Sequence, residues 1–139
     1  MSGRVLATLL VVLTGCARVP AGERVPESAL IPSLDVKVDG DSVQMTLHLT
    51  SALEEPVVLE FPSAQRSDFS VRRQDGEVVW TWSMDKLFAQ VMGSETLLPG
   101  ETLAYGGTWM PAEPGRYEAI ARLVSSNRPI EIAVPFEVR

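Results

Sequence analysis

The chain reads as an all-β protein, an antiparallel sandwich of seven or eight strands over residues 34–139. Three observations predict this. Apolar and polar residues alternate with a period of two through most of that stretch. Turn-forming residues break the alternation at intervals of roughly ten residues. Helical spacing is confined to one short segment at 84–91. Successive side chains of a strand point to opposite faces, so alternation marks a half-buried strand. Many short strands separated by turn signals favour a sandwich of the immunoglobulin-like kind.

The elements follow in order. Leu34, Val36 and Val38 alternate with Asp35, Lys37 and Asp39, and Val43, Met45, Leu47 and Leu49 alternate with Gln44, Thr46, His48 and Thr50. Asp39-Gly40 between the two runs is a strong signal for a tight hairpin. Residues 56–61 form the next apolar run. Asp75-Gly76 then repeats the hairpin device between Phe69-Ser70-Val71-Arg72 and Val78-Val79-Trp80-Thr81-Trp82. Leu87, Phe88, Val91 and Met92 share one face of a helical turn or two at 84–91. Further strands are predicted at 102–109, 116–124 and 130–138. Gly106-Gly107 is read as a bulge in the first of these. In the last, Ile130, Ile132, Val134, Phe136 and Val138 share a face, and Pro135 assigns it to an edge or a bulge, because proline lacks the ladder donor.

The first 33 residues differ in character. Arg4 precedes the apolar run Val5-Leu6-Ala7-Thr8-Leu9-Leu10-Val11-Val12-Leu13. That run is too short to span a bilayer, which needs about 20 apolar residues. It has the length of a signal-peptide core. Leu13-Thr14-Gly15-Cys16 completes it and is similar to the lipobox of bacterial lipoproteins, in which the cysteine thiol accepts diacylglycerol. Cys16 is the only cysteine of the chain and has no disulfide partner within it. Residues 1–15 are therefore read as a lipoprotein signal peptide. Residues 16–33 are read as the lipidated N-terminus and a tether punctuated by Pro20, Pro26 and Pro32. Proline-rich tethers are extended and semi-rigid. An edge strand starting at Ala29-Leu30-Ile31 is the alternative for the end of that segment.

Charge excludes one class of partner. The chain carries −6, and loss of Arg4 takes the remainder to about −7. Nucleic-acid binding requires a basic footprint that this balance does not supply. Membrane attachment then falls to the lipid, and two or more acyl chains anchor stably.

Catalytic and metal constellations are not apparent. The Asp35–Gly40 stretch looks like the start of a calcium loop, but Lys37 and Thr46 stand where ligands are needed. One cysteine and one distant histidine cannot build a tetrahedral metal site. His48 is the single histidine and alternation points it away from the core. No Gly-x-Ser-x-Gly elbow is present to pair with it. Glu54-Glu55 precedes Pro56 in a turn and is read as solvated. Trp80 and Trp109 are assigned to the core. Trp82, near a strand end, is the candidate contact-surface residue, since exposed tryptophan is favoured at interface hot spots.

Several ordered blocks carry a resemblance. Phe61-Pro62-Ser63-Ala64-Gln65-Arg66-Ser67-Asp68-Phe69 is similar to an F-x-S-x-Q-x-Y-D-F block. Asp75 to Ser83 resembles a D-G-x-x-V-W-x-W-S hairpin, and 84–90 resembles a segment with a fixed phenylalanine, here Phe88. Glu95 to Glu101 matches E-x-L-x-P-G-E, and Trp109 with Pro114-Gly115-Arg116-Tyr117 matches the closing W and P-G-x-Y. The chain thus resembles the BsuPI domain family, the Bacillus intracellular proteinase inhibitor family, over roughly residues 35–125. Ser67 departs from the pattern, because the family has tyrosine there. The resemblance implies a β-sandwich and a proteinase partner, and it designates no inhibitory residue.

The sequence therefore leads to a membrane-anchored lipoprotein of the cell envelope, facing outside the cytoplasm. Its domain at 34–139 is read as a non-catalytic protein-binding module without cofactor, contacting its partner through one end of the sandwich or an open strand edge. Within that reading, proteinase inhibition is the activity the resemblance implies. An assembly or scaffold lipoprotein without inhibitory activity is the alternative.

Overall fold

The computed structural model describes residues 29–139. Among these lie nine strands and one 3-10 turn. The strands are β1 (Leu30–Asp39), β2 (Ser42–Ser51), β3 (Val57–Phe61), β4 (Ser67–Arg73), β5 (Val78–Thr81), β6 (Gly93–Leu97), β7 (Thr102–Trp109), β8 (Gly115–Leu123) and β9 (Ile130–Val138). The turn spans Trp82–Asp85. All pairings are antiparallel, and they form three ladders, ordered β1-β2-β7, β3-β6 and β5-β4-β8-β9. The expected all-β, immunoglobulin-like architecture is the one observed.

One core joins the three ladders. The β1-β2-β7 ladder supplies Leu30, Leu34, Val43, Met45, Leu47, Leu49 and Trp109, and the β5-β4-β8-β9 ladder supplies Phe69, Val71, Tyr117, Ala119, Ala121, Leu123 and Val138. Val57, Leu59, Phe61 and Leu97 come from β3-β6. Burial alternates along β2, β3 and β7, as the period-two pattern requires. Trp109, Tyr117 and Phe136 pack their rings at one end of this core, with centroids 5.0 and 5.6 Å apart along the chain of contacts. The Tyr117 hydroxyl donates to the Glu113 carbonyl at 2.7 Å, which fixes the turn leading into β8. This is the bond of a tyrosine corner, in which a strand-end tyrosine reaches back a few residues.

The hairpins form where Asp-Gly stands. Asp39 pairs with Ser42, so the β1-β2 loop is Gly40-Asp41, with Gly40 at φ +60. A positive φ at the first loop position alone is the pattern of a type II′ turn, which only glycine enters without strain. At the second hairpin the Asp75 carboxylate accepts the Glu77 N–H at 2.9 Å, and Gly76 takes φ +94.

Four sequence expectations are corrected. The tether reading to residue 33 runs too far, because Leu30 to Ser33 pair with Ser51 to His48 in β1-β2 and Ala29 and Leu30 are buried. The strand at the end of the tether was the alternative reading. The helical turn lies at Trp82–Asp85, and 86–92 has no regular structure. Gly106-Gly107 forms no bulge, since Thr46 and Met45 face these glycines in unbroken register. A ninth strand, β6, is present where only motif residues were recognised.

β6 escaped the pattern because Glu95, two positions before the buried Leu97 on the same face, is charged. Glu95 accepts from the Tyr105 hydroxyl at 2.5 Å and from Arg66 Nε at 3.2 Å. Arg66 also donates to the Ser63 carbonyl and lies 4.5 Å from the Phe61 ring centroid. Burial, then the hydrogen bond to Glu95, holds the Tyr105 phenol well above its ordinary value of 10. Unfolded tyrosine ionises first as pH rises past that value, so this contribution is present below pH 10 and lost above it. Tyr105→Phe is expected to lose about 1 kcal/mol at neutral pH. It should also make the fall in stability between about pH 8 and about pH 11 shallower than in the parent chain. Urea denaturation across that range measures both.

Candidate functional site

The surface departs from ordinary sandwich chemistry at 84–92. Met84 is 83 % exposed, Leu87 101 %, Val91 65 % and Met92 82 %. Scattered apolar side chains on a surface are common, whereas four within nine residues of one connection single it out as a candidate contact surface. The local reason for their exposure is the layer beneath them.

That layer starts at the beginning of β4. The Asp68 carboxylate accepts the Phe69 N–H at 2.9 Å, the Ser83 N–H at 3.1 Å and the Ser83 hydroxyl at 2.6 Å. The 3-10 turn is thereby fastened to the edge of the core. Trp82 opens the turn and is half-buried. Its ring meets Phe69 edge-on at 6.2 Å and lies against Phe88 at 5.9 Å. Gly107 makes room for this packing. A Cβ there would lie 2.8 Å from Phe69 Cδ2 and 3.1 Å from Trp82 Cδ1. The glycine is needed for close approach, and Gly107→Ala is expected to cost about 1–3 kcal/mol through overpacking. The shift in the urea midpoint measures that cost.

The segment above is fixed on both sides of Leu87. Lys86 donates its N–H to the Ser83 carbonyl at 3.1 Å. Its ammonium donates to the Trp82 carbonyl and to Asp85, each at 3.1 Å, and stands 4.5 Å from the Trp82 ring centroid. Phe88 packs on Trp82. The Ala89 carbonyl accepts the Ala64 N–H at 2.9 Å. Leu87 projects from between these anchors.

Trp82, the sequence candidate for contact, is thus the base of the exposed segment. Trp80 is partly buried against the core, and Trp109 lies within it. The lipobox residues Leu13, Thr14, Gly15 and Cys16 lie outside the described residues. His48 Nε2 meets Asp35 Oδ2 at 3.0 Å on the outer face of β1-β2. Glu54 and Glu55 are exposed beside an open hollow of about 660 Å³ that Arg128 also lines. Among the described residues, no three His, Cys, Asp or Glu side chains are grouped to hold a metal ion. Sequence reasoning missed Leu87 because Leu, Val and Met at helical spacing read only as one apolar face of a short turn. The fixed Phe88 was the available signal, since only that side chain of the segment packs inward.

Residues 30–128 match the family model described as intracellular proteinase inhibitor, BsuPI. The chain belongs to the BsuPI family. No curated protein sequence matches it significantly. Similar solved structures include the sporulation control protein Spo0M from Bacillus subtilis, 14 % identical, with a TM-score of 0.48. The match covers 79 % of this chain and 48 % of Spo0M, so the chain spans about half that protein's length. A penta-heme cytochrome c552 from Thermochromatium tepidum is 11 % identical, with a TM-score of 0.49 over 79 % of this chain and 40 % of the cytochrome. The structural genomics target SoR45 is 13 % identical, with a TM-score of 0.47 over 79 % of this chain and 85 % of the target.

The BsuPI blocks now have physical roles in this chain. Phe61 and Phe69 fill the core, Ser63 accepts the Gln65 N–H, and Gln65 Nε2 donates to the Ser67 carbonyl. Asp68 and Ser83, from separate blocks, bond to each other. Pro99-Gly100 turns the chain between β6 and β7, with Gly100 at φ +75 and the Glu101 N–H on the Leu98 carbonyl. Most of these residues build the fold. Asp68, Trp82, Ser83 and Phe88 build the support of one exposed segment.

Proposed function

We propose that the protein is a lipid-anchored proteinase inhibitor, a non-catalytic β-sandwich that binds a proteinase through the apolar segment at 84–92. The observation that carries this reading is exposure combined with fixation. Met84, Leu87, Val91 and Met92 are all well exposed, while Lys86, Phe88 and Ala89 are held by the domain. Ordering a loop on binding costs free energy, and a segment held in advance avoids much of that cost. Membership of a family described as intracellular proteinase inhibitor supplies the class of partner.

The location follows from the lipobox at Leu13, Thr14, Gly15 and Cys16. With the domain beginning at Ala29, the chain length of residues 17–28 limits its distance from the membrane to at most about 40 Å. The expected site of action is the outer side of a bacterial membrane, within that distance of the bilayer.

Titration of the full-length chain, purified in detergent, against subtilisin, chymotrypsin, elastase and trypsin tests the reading. Stoichiometric loss of activity of at least one enzyme is expected. Full activity of every enzyme at a tenfold excess (an order-of-magnitude choice far above equivalence) contradicts inhibition. A stable non-proteinase partner crosslinked in intact cells would then favour the scaffold alternative.

A further inference from the structure

The exposed segment is more specific than an apolar patch. Leu87 is 101 % exposed, and the side chains on either side of it are both held against Trp82. Lys86 is extended, at φ −116 and ψ 147, and its ammonium is bonded back to the Trp82 carbonyl. Phe88 packs its ring on Trp82. An extended backbone with one side chain offered and the flanking ones tied down has the form a proteinase cleft receives. A cleft pairs with extended chain and admits one side chain into its primary pocket. Tied flanks keep the ends of the adjoining peptide bond together, which opposes release of products.

Resting on the inhibitor reading above, we infer that Leu87 is the side chain that enters the primary specificity pocket, and that the target proteinase has an apolar pocket. The branched, uncharged Leu87 fits such a pocket and offers nothing to the acidic pocket of a trypsin-like enzyme. Met84 lies in the 3-10 turn, and Val91 and Met92 follow the Ala89 anchor. They flank the inserted residue and meet the rim of the cleft. A buried anchor surrounded by weaker contacts that exclude water is the usual distribution of energy in an interface.

The test compares variants of the full-length chain in detergent. Leu87→Asp should raise the inhibition constant for the apolar-pocket enzymes, subtilisin, chymotrypsin or elastase, by about 100-fold, since a carboxylate must desolvate there. Leu87→Arg should weaken the same inhibition and create inhibition of trypsin. Ile31→Asp, an exposed apolar position on β1 remote from the loop, should change nothing. Leu87 is fully exposed, so both variants should unfold at the parent's urea midpoint.

The outcomes separate the two readings. Parent inhibition with unchanged inhibition by Leu87→Asp overturns the role of Leu87 and leaves the inhibitor reading standing. Absence of parent inhibition against every enzyme removes both. Rapid turnover with cleavage after Leu87 overturns the inhibitor reading, on which the inference rests, by showing a substrate.

Discussion

Phe69→Ala is expected to destabilise the domain by about 3–5 kcal/mol, the largest loss from any single truncation considered. Phe69 is among the largest fully buried side chains and sits in the third position of β4. Removing the ring leaves a cavity between the ladders and withdraws the edge-on partner of Trp82. Domains of this size are stable by about 5–15 kcal/mol, so the variant forfeits a substantial part of the total. Urea denaturation followed by tryptophan fluorescence should show a lower midpoint. An unchanged midpoint would mean that the contact between the core and the base of the loop contributes little.

Asp68→Ala is expected to cost about 2–3 kcal/mol, because hydrogen bonds to a charged acceptor are stronger than neutral ones. The carboxylate serves three donors, and two of them belong to Ser83. Its loss frees the 3-10 turn while leaving the Phe69 side chain in place. The effect should therefore be uneven. Amide exchange should accelerate more over 82–89 than in β2 or β8, and inhibition should weaken beyond what global stability explains. Ser83→Ala removes the hydroxyl bond alone and should reproduce the same pattern at about 1 kcal/mol. Uniform acceleration across the domain would show that Asp68 supports the whole sheet, with no special role at the loop.

Much of the fold was legible in the sequence because burial in a sandwich imposes a period of two. β2 alternates cleanly from Val43 to Leu49, and the structure buries that set. The hairpins at Asp39-Gly40 and Asp75-Gly76 were legible because only glycine takes positive φ without strain. β6 was not legible as a strand. Its inward Glu95 is satisfied by Tyr105 and Arg66, which lie 10 and 29 positions away in sequence, and no local pattern announces them. β1 began earlier than expected because Pro32 looked like tether, yet an edge strand tolerates proline.

The candidate site was legible only in part. Phe88 was recognisable as a fixed aromatic and Trp82 as a contact candidate, but which side chains of 84–92 face solvent depends on tertiary anchors. Asp68, Lys86 and the Ala64 N–H decide it, and although Lys86 reaches back only to Trp82, Asp68 and Ala64 act on Ser83 and Ala89 across gaps that periodicity cannot bridge. Leu87 and Val91 have the spacing of one helical face, so the segment read as a helical turn, with no residue singled out for exposure. Gly107 carried a signal that was misassigned. A glycine in an otherwise regular strand marks either a bulge or a close approach, and here it is the approach of Phe69 and Trp82.

The most direct measurement is amide hydrogen exchange of the full-length chain, alone and bound to the proteinase it inhibits. Recognition through the fixed apolar segment predicts that new protection is concentrated at 84–92, with Leu87 and its neighbours most affected. Binding by strand addition would instead protect an edge strand, such as β7, whose Thr102–Trp109 pairs with β2 alone, or β1, β5 or β9. Protection there, with 84–92 exchanging as in the free protein, would contradict the account.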